Sequence, residues 1–82
     1  MKLTYDPRYN IAYLRLQEKT SQVETVRVSE SLNIDLAPDG TVYGIELLNA
    51  NEQLRGKEKG KLIVENVATG TSAEVELTEE KG

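Results

Sequence analysis

The sequence predicts a small, mainly β protein (α+β at most), with about seven antiparallel strands joined as hairpins or a meander and one short helix. Apolar and polar residues alternate with a period of two along most of the chain. Clusters of Pro, Gly, Asn, Asp and Ser separate these alternating segments. The length of 82 residues leaves room for one modest core. We therefore expect residues 1–82 to form a single domain.

The first two strands are predicted as a hairpin. Leu3 and Tyr5 alternate with polar neighbours, and Asp6-Pro7 then favours a turn. Residues 11–16 alternate again, with the apolar side chains at even positions. Tyr5 lies at the start of this hairpin and Tyr13 in its second strand, with Tyr9 between them. We expect the three tyrosines to pack around the turn.

Three further strands are predicted between residues 23 and 48. In residues 23–28 the apolar positions slip phase between Val23 and Val26, which predicts a β-bulge there. Residues 32–37 show the cleanest alternation, and Pro38-Asp39-Gly40 supplies a turn before residues 41–48. Gly44, inside this last strand, indicates a bulge or a close approach of another group to the backbone.

The remainder of the chain is predicted as one short helix and one hairpin. Residues 49–55 are predicted to form a helix of one or two turns, which Asn49 can cap and Gly56 ends. Residues 57–60 resemble a linker. The last hairpin then uses residues 62–67 and 73–77. On this interpretation residues 1–54 form the β core with its short helix, and residues 57–82 add a C-terminal hairpin.

The composition excludes several classes of chemistry. The chain has no Cys and no His, which removes thiolate catalysis, zinc–thiolate sites and every Ser-His-Asp or Cys-His arrangement. We expect no cofactor. The net charge of −4 argues against nucleic-acid binding. No apolar segment approaches the length of a membrane span, and no signal peptide is seen, so a cytoplasmic location is expected.

Three carboxylates are the only candidates for a metal or catalytic site. Asp35, Asp39 and Glu46 match positions 1, 5 and 12 of a calcium-binding loop, with Gly40 at the required turn. Ala37 stands where that loop needs a side-chain oxygen, and strands rather than helices flank the segment. A second hypothesis is that Asp35 and Glu46 form a catalytic pair of carboxylates. The simpler interpretation is a turn with acids on a solvated strand face, so no catalytic or metal residue is assigned.

The one-sided alternation also predicts self-association. It indicates a sheet with one buried and one solvated face, and open sheet edges can pair with another copy. The solvated faces still carry a minority of apolar residues that can form a second buried layer, namely Ile11, Tyr13, Val42 and Leu48. A homo-oligomer is therefore expected, with another protein as a possible further partner.

Short motifs in a fixed order connect the chain to a known family. The sequence resembles the bacterial family called domain of unknown function 2283 over roughly residues 1–54. The resemblance is carried by residues 3–7 and 12–16, Ile34-Asp35-Leu36, Asp39-Gly40, Gly44-Ile45-Glu46 and Leu48-Asn49-Ala50. It implies a small β-rich fold in a bacterial or phage cytoplasm, and no activity. Many members carry an acid where this chain has Ala37, and residues 57–82 lie beyond the usual domain.

Three functional hypotheses follow. The leading one is a non-enzymatic β interaction module that self-associates through sheet edges or an apolar face. The second is a metal- or carboxylate-dependent enzyme that uses Asp35, Asp39 and Glu46. The third is an antitoxin-like partner of a small basic protein, which the net charge of −4 suits.

Overall fold

A computed structural model describes residues 1–18, 22–55 and 60–77. It confirms a mainly β, antiparallel fold with seven strands and one short helix. The strands are β1 (Lys2–Asp6), β2 (Ile11–Arg15), β3 (Glu24–Ser29), β4 (Leu32–Leu36), β5 (Val42–Leu48), β6 (Lys61–Asn66) and β7 (Thr71–Glu76). The helix α1 (Ala50–Arg55) begins one residue after the predicted start. No helix in the described part of the chain is long and apolar enough to cross a membrane.

The strands are divided between two antiparallel sheets. Five of them form a sheet in the order β1-β2-β5-β4-β3, with β5 in the centre and β1 and β3 at the edges. Strands β6 and β7 form a second, two-stranded sheet. The chain also separates into two compact units, Met1–Asn51 and Glu52–Gly82. The five-stranded sheet belongs to the first unit and the hairpin to the second.

The register of the five-stranded sheet sorts its side chains onto two faces, since directly opposed residues of antiparallel strands share a face. One row runs Leu3, Leu14, Ile45, Ile34 and Val26 across all five strands. We call its side the apolar face. Its strand residues include two polar ones at the β3 edge, and they are Leu3, Tyr5, Ala12, Leu14, Glu24, Val26, Ser29, Leu32, Ile34, Leu36, Ile45 and Leu47. The polar face also carries the apolar side chains of Ile11 and Leu48, and its strand residues are Lys2, Thr4, Asp6, Ile11, Tyr13, Arg15, Thr25, Arg27, Asn33, Asp35, Gly44, Glu46 and Leu48.

The apolar face is only partly buried within one chain. Ile45 lies on the central strand between Leu14 and Ile34, and all three side chains are only half-buried. Across the described ranges, the buried residues are all alanines or glycines, and no large side chain is fully buried. The expectation that one face of the sheet is buried is therefore wrong for the isolated chain.

Two β-bulges interrupt the ladders of the sheet. In β3 the register shifts between Arg27 and Ser29, so the extra residue is Val28. The predicted position between Val23 and Val26 is wrong, because Val23 precedes the strand. The second shift lies between β4 and β5, where Val42 pairs with Leu36. This pairing places Val42 on the side of the apolar face, so its predicted place on the solvated face is also wrong.

The β1–β2 turn holds the start of the helix. Asn10 adopts a left-handed backbone conformation with φ of 61°. Its carbonyl oxygen accepts a hydrogen bond from the N–H of Ala50 at 3.1 Å, and its Oδ1 accepts one from the N–H of Asn51 at 2.7 Å. These are first-turn N–H groups, which have no partner inside a helix. Tyr5 completes the connection by donating its hydroxyl to Asn51 Oδ1 at 2.6 Å.

Candidate functional site

The most connected group of polar side chains lies on the polar face around Asp35. The Tyr13 hydroxyl donates to Asp35 Oδ2 at 2.7 Å, and the Thr25 hydroxyl donates to Asp35 Oδ1 at 2.6 Å. Thr25 lies directly opposite Asp35 on the neighbouring strand β3. Tyr13 lies two strands away on β2, so its side chain must cross the central strand β5 to reach Asp35.

Gly44 makes this crossing possible. It lies directly opposite Asp35 on one side and Arg15 on the other. A β-carbon built on Gly44 would fall within the Tyr13 phenol, only 2.6 Å from Cε1. Gly44 is therefore a site of close approach, one of the two alternatives that the sequence predicted. The β4–β5 register shift also begins at its pair with Asp35, so the predicted bulge lies next to Gly44 as well. The ring of Tyr13 covers the bare backbone of β5, as aromatic neighbours of strand glycines do.

The surroundings of Tyr13 fix its protonation state. Burial of the phenol raises the pKa of Tyr13, and the hydrogen bond to Asp35 and the nearby charge of that carboxylate raise it further. Tyr43 and Glu46 add to the effect in the same direction. With a pKa above the ordinary value near 10, the hydroxyl is a proton donor at neutral pH. The hydroxyl therefore serves as the hydrogen-bond donor that holds the Asp35 carboxylate in place.

A second polar pair lies beside the first. Asn33 Nδ2 donates to Glu46 Oε1 at 2.9 Å, between directly opposed positions of β4 and β5. In the same face, Arg15 Nε and Asn33 Oδ1 are buried, and neither has a hydrogen-bond partner in the structure of the described residues. The polar face thus contains two hydrogen-bonded groups of side chains, one around Asp35 and one between Asn33 and Glu46. Among the described residues it also contains two buried polar atoms that make no hydrogen bond.

The three carboxylates singled out in the sequence do not form one group. Asp35 and Glu46 share the polar face, but each accepts hydrogen bonds from its own partners. Asp39 lies in the β4–β5 turn and accepts from the N–H and the hydroxyl of Thr41 at 3.0 and 2.6 Å. These bonds lower the pKa of Asp39, the hydroxyl most strongly. Within residues 1–18, 22–55 and 60–77, no three acidic, His or Cys side chains are grouped to hold a metal ion.

Comparison with known protein families gives one result. The family model described as protein of unknown function (DUF2283) matches residues 2–51. The chain belongs to this family. The matched DUF2283 segment contains all of β1 to β5 and the first residues of α1, while the β6–β7 hairpin lies beyond it. Comparison with curated proteins and with solved structures gave no match.

The short motifs that suggested DUF2283 have identifiable roles in the fold. Gly44 admits the Tyr13 ring, and Glu46 pairs with Asn33. Asp35 receives the Tyr13 and Thr25 hydroxyls, and Asp39 closes its own turn with Thr41. Asp35 and Glu46 thus link neighbouring strands, and Asp39 closes a turn.

The roles of other residues in this DUF2283 chain were not predicted from the sequence, or were predicted wrongly. Thr25 and Asn33 carry no motif, and their roles appear only once strand pairing is known. The prediction that three tyrosines pack around one turn is wrong. Tyr5 and Tyr13 lie on opposite faces of the sheet, and Tyr9 is 71% exposed in the turn. The Arg8 guanidinium lies 5.6 Å from the centre of the Tyr9 ring.

Proposed function

We propose that this DUF2283 protein is a non-enzymatic interaction module that self-associates by placing a second copy against the apolar face of its five-stranded sheet. The observation that carries the proposal is the incomplete burial of Ile45, Leu14 and Ile34 at the centre of that face. In a covered sheet these positions are the most deeply buried ones. Contiguous apolar surface of this kind marks interaction sites in soluble proteins.

The area of the face is suited to a reversible contact between two copies. Five strands about 4.8 Å apart and five residues long at about 3.4 Å each give a footprint of roughly 400 Å². The footprints of two such faces together amount to on the order of 800 Å². Because side chains project from each face, the solvent-accessible area buried in the contact is larger than this footprint. Stable specific interfaces bury about 1,200 Å² or more, so we expect only a weak dimer from this face alone.

The polar face supports the non-enzymatic part of the proposal. Both oxygens of Asp35 are occupied by hydroxyl donors from the chain itself. The raised pKa of Tyr13 keeps its hydroxyl protonated, so it lacks the tuned acidity that proton-transfer catalysts need. The strongest network of the sheet is therefore committed to holding strands β2, β3 and β4 in place.

Size-exclusion chromatography with light scattering tests the proposal, using two matched variants. Leu16 continues the alternation of β2 on the apolar side, and Ile11 begins the same strand on the polar side. Each side chain is 37% exposed, so a lysine at either position should be tolerated equally by the folded monomer. Leu16→Lys should lower the average mass of the assembly, while Ile11→Lys should leave it unchanged.

Two results would reject the proposal. One is an unaltered protein that stays at the monomer mass at high micromolar concentration. The other is an equal loss of assembly in Leu16→Lys and Ile11→Lys, because a contact through the apolar face must distinguish the two faces. Circular dichroism of both variants establishes that each retains its β structure before the masses are compared.

A further inference from the structure

The β6–β7 hairpin has features that the proposed sheet contact does not explain. Its register places Leu62 opposite Val75 and Val64 opposite Ala73, so one face of the hairpin is apolar. Every residue of both strands is exposed. An isolated two-stranded hairpin is marginally stable in water, and stability normally requires three or more strands or a packed face. The hairpin therefore needs additional strands or a cover.

The hydrogen-bonding pattern identifies which groups are available at the edge of β6. The N–H of Leu77 donates to the carbonyl of Gly60 at 2.7 Å, which makes Gly60 and Leu77 a hydrogen-bonded pair in the β6–β7 register. Hydrogen-bonded and non-bonded pairs alternate along an antiparallel ladder. The backbone groups of Lys61, Ile63 and Glu65 consequently point away from β7, to an edge that pairs with no other described strand.

We propose that two copies of this chain pair antiparallel along their β6 edges, with the two Ile63 residues directly opposed. The inference rests on the proposed self-association and adds a second surface to it. In this register Lys61 of each copy lies opposite Glu65 of the other, which gives two pairs of opposite charge. Leu62 lies opposite Val64 of the second copy, also twice. Moving the register by one residue pair in either direction removes both Lys61–Glu65 pairs.

The other edge of the hairpin is unsuited to the same contact. The outward-pointing backbone groups of β7 belong to Ser72, Glu74 and Glu76, and the strand contains no Lys or Arg. No antiparallel register of two β7 strands therefore brings opposite charges together. The register centred on Glu74 places two glutamates face to face, which is destabilising. Charged edges of this kind are a common way to prevent strand addition.

Pairing along β6 provides the additional strands that the hairpin needs for stability. It produces a four-stranded sheet in the order β7, β6, β6 and β7. The four apolar residues of each hairpin then join in one continuous apolar surface, made of Leu62, Val64, Ala73 and Val75 from both copies. Four strands with one apolar face exceed the minimum for a stable small sheet.

Cysteine cross-linking of the full chain tests the register directly. The chain contains no cysteine, so a single introduced thiol reports one contact. Directly opposed residues of a hydrogen-bonded pair have Cα atoms about 5.5 Å apart, within the range that a disulfide spans. Under mild oxidation, Ile63→Cys should form a disulfide-linked dimer in at least about tenfold greater yield than the control Glu74→Cys on β7. Equal yields in the two variants would overturn the proposal.

A charge exchange provides the second test. Lys61→Glu and Glu65→Lys should each raise the dissociation constant of the dimer about tenfold, because each replaces two opposite-charge pairs with like charges. The double variant restores both pairs between copies and should recover affinity relative to Lys61→Glu, although that glutamate still faces Glu76 of its own hairpin. The two positions lie roughly 14 Å apart within one strand, so recovery cannot arise within a chain. The proposal would be overturned if the double variant had a dissociation constant as high as that of the weaker-binding single variant.

The two proposals fail in different ways. If the chain associates but Ile63→Cys cross-links no better than Glu74→Cys, the β6 contact is wrong and self-association stands. If the unaltered chain is a monomer at every concentration, both proposals are wrong.

Discussion

The Tyr13 ring occupies the position over Gly44 where any other residue would place its β-carbon. This contact lets the Tyr13 hydroxyl cross the central strand and reach Asp35 at 2.7 Å. The side chains of β2, β3 and β4 are thereby joined across β5 on the polar face. This network and the backbone ladders hold the sheet together, while the central side chains of the apolar face are only partly buried.

Replacing Gly44 tests the contact. We expect Gly44→Ala to lower the free energy of unfolding by about 1–3 kcal/mol, since the new methyl group overlaps the Tyr13 ring. Urea denaturation followed by circular dichroism measures the change. In a Tyr13→Ala background the same substitution should cost markedly less. Equal costs in the two backgrounds would show that the ring and the glycine are not coupled.

Removing the Asp35 carboxylate tests the polar network. Asp35→Ala leaves the partly buried Tyr13 hydroxyl without its acceptor, and we expect a loss of about 1–3 kcal/mol in the free energy of unfolding. Thr25→Val removes one donor at the exposed end of the same network and should cost less than Asp35→Ala. Both values come from chemical denaturation. A larger loss for Thr25→Val would contradict the assigned importance of the Tyr13–Asp35 bond.

The raised pKa of Tyr13 predicts a loss of stability in alkaline solution. The folded protein binds the phenolic proton more tightly than the unfolded chain, whose tyrosines ionise near pH 10. The stabilising contribution of this group is therefore complete below about pH 10 and is lost as the pH rises through the folded-state pKa. Absorbance of tyrosinate should show one tyrosine ionising later than the others. Tyr13→Phe should remove that late step, and a late step that persists would assign it to another residue.

Asn10 is predicted to stabilise the start of α1. Asn10→Gly tolerates the positive φ but removes the Oδ1 acceptor of the Asn51 N–H, and should cost about 1 kcal/mol. Asn10→Asp keeps an acceptor at that position and serves as the control. Thermal or urea unfolding compares the two variants. If Asn10→Gly is as stable as Asn10→Asp, the side-chain bond to Asn51 contributes nothing measurable.

The strands were predictable from the sequence because the period-two pattern reports local backbone geometry. Gly44 was recognisable as the site of a bulge or a close approach, since a glycine inside a strand weakens it without such a reason. The partner of Gly44 was not predictable. That Tyr13 lies over it depends on β2 pairing with β5, and these strands are separated by β3 and β4 in the sequence. Non-local pairing of this kind leaves no trace in local alternation.

The bulge in β3 and the burial of the sheet were also beyond the sequence pattern. The phase slip after Val23 arises because Val23 lies outside β3, whereas the actual bulge at Val28 has no local signal of its own. Alternation predicted the apolar side of Ile45 correctly. It did not predict whether other parts of the chain cover that side, because coverage depends on tertiary packing.

Contacts between copies at the apolar face give the most direct test of the proposed self-association. The measurement is an isotope-filtered NOE experiment on an equal mixture of labelled and unlabelled protein at high micromolar concentration. If two copies meet at this face, we expect cross-peaks between copies at the methyl groups of Leu14, Ile34 and Ile45. A sample that has the monomer mass of 9.1 kDa and shows no such cross-peaks would contradict it.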